Sequence, residues 1–103
     1  MLSTIVEYLN VYRTYMESEN RNDADNCIAA INQGLALKND LTSKAKAFID
    51  AMKAEGLTAK KGDERSKNRI SLVENFLKYA LAESGNAMNY ALRQYNAPDQ
   101  AHN

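Results

Sequence analysis

The sequence predicts an all-α protein, and three observations carry that prediction. Its 103 residues include fifteen Ala and ten Leu against one Pro and four Gly, a composition rich in the strongest helix formers. β-Branched residues are sparse, and no stretch alternates apolar and polar with the period of two that a half-buried strand needs. Apolar residues instead recur every three or four positions over long stretches. The expected architecture is a long antiparallel helical hairpin with a shorter N-terminal helix packed on its open end. That is a three-helix bundle, or a four-helix one if the third helix breaks near Gly85.

Punctuation sets the elements in order. Helix one is expected over 4–18, because Thr4 and Glu7 have capping-box spacing and Leu2, Ile5, Leu9, Tyr12 and Met16 recur at helical steps. The polar run Glu19-Asn20-Arg21-Asn22-Asp23 interrupts it, and Asn22 or Asp23 can cap a second helix over 23–55. That helix stops at Gly56, a natural residue just past a helix end. After a turn over 57–62, Asp63 can cap a third helix over 63–95, which Ala97-Pro98 ends. Residues 1–96 therefore form one helical domain, followed by a polar tail over 97–103.

Helices two and three share a pattern. Ala30, Gly34, Leu37, Leu41, Ala45, Phe48 and Met52 follow steps of four and three, as do Ile70, Val73, Leu77, Leu81, Ser84, Met88, Leu92 and Tyr95. Both approximate an eleven-residue repeat, which keeps a stripe straight or gently right-handed. A short turn centred near residues 59 and 60 then sets Gly34 opposite Gly85. A Gly inside a helix costs about 1 kcal/mol against Ala, so two facing each other suggest close backbone approach or room for an inserted ring.

Composition excludes several functions. Thirteen basic residues balance thirteen acidic ones, which argues against bulk phosphate neutralisation. No apolar run is long enough for a membrane span, and Met1-Leu2-Ser3 lacks a basic leader region. The one cysteine, Cys27, can form no internal disulfide and no thiolate metal site, and a cytoplasmic protein is expected. His102 lies in the tail, where a frayed terminus supplies no oriented, partly dry site. Asp23 and Asp25 beside Cys27 oppose a reactive thiolate, so a small core residue is expected there. The acidic segment 19–26 lacks the central Gly and distal Glu of a calcium loop. No phosphate-binding loop, dinucleotide turn or nucleophile elbow appears. The chain reads as a non-enzyme without cofactor or metal.

The length mismatch among the helices is the main functional clue. Helix one is about 22–27 Å long while helices two and three are about 45–50 Å. Helix one can therefore cover only residues 24–42 and 77–96, leaving 43–76 as a two-helix arm. That arm carries Phe48, Ile49, Met52, Leu72 and Phe76, more apolar side chains than one seam can absorb, and such a patch marks an interaction surface. A second copy or a target protein would complete the bundle there.

Lys60, Lys61, Arg65, Lys67 and Arg69 form a local excess of cations around the hairpin turn, while residues 1–26 are net acidic. These cations form an electrostatic edge suited to steering an acidic partner. Tyr8, Tyr12 and Tyr15 share one side of helix one, and Tyr79, Tyr90 and Tyr95 lie on helix three, mostly as a polar rim of the core. The expected function is a non-catalytic protein-binding module that associates with itself as a homodimer. As such it would act as an adaptor, chaperone or inhibitor, and in size and shape alone it resembles small helical inhibitors, immunity proteins and secretion chaperones, a likeness that does not give function. The competing reading is a small nucleic-acid-binding protein using the basic turn.

Overall fold

The computed structural model describes residues 1–96. The tail expected over 97–103, with His102, lies outside the described residues. The chain forms α1 (Leu2–Asn20), α2 (Ala24–Ala54), α3 (Glu64–Asn75), a π-helical turn (Phe76–Leu81) and α4 (Ala82–Asn96). At both joints the backbone stays right-handed helical, at Phe76 (φ −60°, ψ −47°) and Ala82 (φ −64°, ψ −49°). α3, the π turn and α4 are therefore one rod, and the fold is the all-α three-helix bundle that the sequence predicts. The break considered near Gly85 does not occur, since α4 runs unbroken through Ser84-Gly85-Asn86.

Local chemistry explains each helix end. α1 starts at Leu2 rather than Thr4, and no side chain caps it. The Thr4–Glu7 capping box does not form because Thr4 is buried against α2, where its hydroxyl accepts from Lys44 Nζ at 3.2 Å. At the other end, Asp23 N–H donates to the Ser18 carbonyl and Asn22 N–H to that of Glu19, with Asn22 left-handed at φ 56°. That is a Schellman closure, and Asn tolerates the conformation better than most residues. Asp23 also caps α2, its carboxylate accepting from Asn26 N at 3.3 Å. One residue ends α1 and starts α2, so the chain reverses within three residues and α1 packs along α2. α2 closes the same way, with Gly56 (φ 78°) donating to Lys53 and Leu57 to Met52.

The core lies where three helices overlap. Tyr8, Val11 and Tyr15 from α1 meet Cys27, Ala30, Ile31 and Leu41 from α2 and Leu81 and Met88 from the third rod. Cys27 is wholly buried and its thiol lies near the Tyr15 carbonyl at 3.9 Å. The buried stripe of α1 is thus Thr4, Tyr8, Val11, Tyr15 and Ser18. Of the stripe Leu2, Ile5, Leu9, Tyr12 and Met16 expected from the sequence, Ile5 and Tyr12 pack half-buried against the core, while Leu2, Leu9 and Met16 are exposed, Leu2 by 73%. The helix carries two apolar stripes, and α2 selects the one whose small ends, Thr4 and Ser18, allow close approach.

The π turn has a packing reason. From Val73 through Leu77 and Leu81 to Gly85 the inward residues are four apart, each step about 0.4 residue longer than an α turn. Winding one extra residue into a single turn absorbs that drift and returns Leu81, Gly85 and Met88 to the α2 face. Ser84 secures the exit by donating to the Ala80 carbonyl at 2.6 Å, and it accepts from the Tyr8 hydroxyl of α1.

The expected register is off by about one turn. A Cβ placed on Gly34 would meet Met88 Sδ at 2.8 Å and Val11 Cγ1 at 3.5 Å, while one on Gly85 would overlap the Lys38 side chain. The two glycines do not face each other, and the space at Gly34 is filled by Met88 rather than by a ring. The residue absorbed by the π turn accounts for part of this offset. The molecule is a rod of 58 × 23 × 17 Å, with a radius of gyration of 17.0 Å against about 13 Å for a compact domain of this length.

Candidate functional site

α1 leaves the distal half of the hairpin short of a third helix. Among the buried apolar residues there are Ala45, Ile70 and Val73, outside the main core. α1 begins two residues earlier than expected, and Met1, Leu2 and Ile5 reach Phe48 of α2 and Leu72, Val73 and Phe76 of the third rod. Together with Arg69 at the rim these seven side chains line a 380 Å³ groove. Leu72 is 71% exposed, although it sits beside this apolar wall.

The five residues expected to bind protein do not form one patch. Phe48, Leu72 and Phe76 share the apolar groove, and Phe76 also packs on the core. Ile49 points to the opposite face of the hairpin. There it lines a 540 Å³ groove with Leu77 and Leu81 beneath Lys38, Lys46, Lys53 and Lys78. Met52 is half-buried in the last turn of α2, where its carbonyl closes the Schellman motif, and it lines neither groove. The split follows from one rotation: adjacent helical positions such as 48 and 49 lie about 100° apart.

The basic edge is likewise dispersed. Lys60 and Lys61 are exposed in the turn, where their amides donate to Thr58 Oγ1. Arg65 is exposed in the first turn of α3, Lys67 is held by Glu64 at 2.7 Å, and Arg69 stands at the rim of the apolar groove. Asp63 caps α3 by accepting from Ser66 N at 3.0 Å, and the Ser66 side-chain and backbone hydrogen bonds hold its carboxyl below the usual range. One of the free amides at this helix start, that of Ser66, is thereby taken by a carboxylate.

A third groove, unforeseen in the sequence, lies at the other end of the same seam between α1 and the third rod. Tyr15 and Glu19 of α1 face Ala87, Tyr90, Ala91, Gln94 and Tyr95 of α4 across 350 Å³. Burial pushes the Tyr15 phenol up, and the nearby Glu19 carboxylate adds to this. The nearby Cys27 pushes the Tyr95 phenol up to about 12, with burial and Glu19 contributing. Tyr90 is 61% exposed. The sequence signal was the pair Ala87 and Ala91, small residues one turn apart beside tyrosines.

Among the described residues, no three His, Cys, Asp or Glu side chains gather to hold a metal ion, and no helix is long and apolar enough to cross a membrane. Comparison with protein-family models, characterised proteins and solved structures found no match, so what the chain does must be argued from these grooves.

Proposed function

We propose that this protein is a non-catalytic protein-binding module that acts through the apolar side of its two-helix arm and associates with itself. The observation that supports this reading is the groove of Met1, Leu2, Ile5, Phe48, Leu72 and Phe76, apolar save for Arg69. A groove between helices, lined this way, suits the apolar face of another helix. The π turn contributes Phe76 to this groove and Leu77 and Leu81 to the one opposite, in keeping with the frequent occurrence of such turns at functional sites. The buried, unpaired Cys27 favours a reducing compartment such as the cytoplasm.

Leu72→Glu tests the proposal cleanly, because so exposed a residue contributes within about 0.5 kcal/mol to folding. Wild-type protein is expected to sediment above the mass of one chain and L72E as one chain, with equal helicity by circular dichroism. Wild-type protein that stays a single chain at ~100 µM, and captures the same proteins as L72E, would sink the reading. The nucleic-acid alternative has weaker support, since the Asp63 carboxylate stands at the α3 N-terminus and the turn has no aromatic for base stacking. A steep salt dependence of binding to generic duplex, lost on Lys60→Ala/Lys61→Ala, would revive it.

A further inference from the structure

We infer that two copies of this chain pair side by side and antiparallel, with Arg65 and Arg69 of each copy seated in the Tyr15–Glu19–Tyr90–Tyr95 groove of the other. This rests on the self-association proposed above and names its geometry.

The groove has the chemistry of a cation site. Tyrosine side chains and one carboxylate line it, and Ala87 and Ala91 leave the space open. Aromatic faces attract cations, guanidinium above all because it also stacks flat on the ring. The C-terminal ends of both α1 and α4 lie here, and a helix C-terminus carries partial negative charge. Glu19 forms no ion pair with any described residue.

The matching cations stand at the far end of the same seam. Arg65 and Arg69 are one turn apart on α3, both are exposed, and neither is paired with a carboxylate among the described residues. Lys67 between them is tied to Glu64.

The rod makes these two features self-complementary. Arg69 lies about ten residues before Tyr79 and Tyr90 about ten after it. A two-fold axis crossing the rod near Tyr79 brings each copy's arginines onto the other's tyrosines, and does so twice, which closes the pair. Tyr79 is itself 53% exposed at that midpoint, and Leu72 would then meet the Ala87 gap. A parallel pairing would set the acidic ends together and the basic turns together, which like charges oppose.

Paired charge reversal tests this. Arg69→Glu and Glu19→Arg are each expected to weaken association at least roughly tenfold, the scale of one interfacial cation contact. Mixed in equal amounts, they should recover a two-chain species, since both junctions of the mixed pair are then complementary. Tyr90→Ala, at an exposed position, should weaken association without altering helicity, which guards against a folding artefact at Glu19. Wild-type dimers that none of these variants weaken would overturn the inference while leaving self-association intact. Recovery as long polymers would show head-to-tail contacts and refute the closed pair. A strictly single-chain wild type at ~100 µM would end both.

Discussion

Substituting each buried helical glycine by alanine should give opposite signs. In both places Ala gains about 1 kcal/mol of helix propensity over Gly. At Gly34 the new Cβ would stand 2.8 Å from Met88 Sδ and 3.1 Å from its Cε. Met88 is 0% exposed and hemmed in by the core, so it has nowhere to swing. Overpacking of this kind costs about 1–3 kcal/mol, leaving Gly34→Ala less stable by about 1 kcal/mol, or roughly 4–8 °C in Tm. At Gly85 the Cβ meets the Lys38 methylenes, but that side chain is only half-buried and its ammonium can move into solvent. Gly85→Ala should therefore stabilise by about 0.5–1 kcal/mol.

Urea unfolding followed by far-ultraviolet circular dichroism measures both, with an unchanged m-value confirming that only stability has moved. Adding Met88→Leu to Gly34→Ala should recover part of the loss, because the shorter side chain withdraws from the new methyl at nearly constant volume. If Gly34→Ala stabilises as much as Gly85→Ala, then Met88 yields freely and the three-helix crossing at Gly34 does not require a missing side chain.

Two further outcomes follow from buried and capping side chains. Tyr8 and Tyr15 are held above the usual tyrosine value of 10.0, chiefly by burial. A raised folded value means that their stabilisation is complete below about pH 10 and is lost as pH rises beyond it. Urea midpoints should thus fall steeply above pH 10, and Tyr8→Phe should flatten that fall; an unchanged midpoint to pH 12 would contradict the burial of these phenols. Asp23→Ala removes the cap of α2 at the residue that also completes the α1 closure, and should cost about 1 kcal/mol in the same assay.

Helix class, number and approximate ends were legible in the sequence because they depend on local chemistry. Asp23, Gly56 and Asp63 act on backbone groups within a few residues of themselves, and all three sit where capping rules place them. The mismatch in helix length was legible for a similar reason, since it follows from residue count. Whether the two-helix arm binds protein is a separate matter for the experiments above. Facing was not legible. α1 carries two apolar stripes about one residue apart, and the one that buries is decided by how closely α2 can approach Thr4, Tyr8, Val11, Tyr15 and Ser18. The register of the hairpin and the π turn arise from the same cause: four-residue steps along one rod must meet a partner whose period is 3.6, and only packing determines where the surplus residue goes. Ile49 and Phe48, adjacent in the chain, line different grooves for this reason. The Tyr15–Tyr95 groove exists only because α1 and α4 end at the same height, a relation between segments about 75 residues apart that no local pattern records.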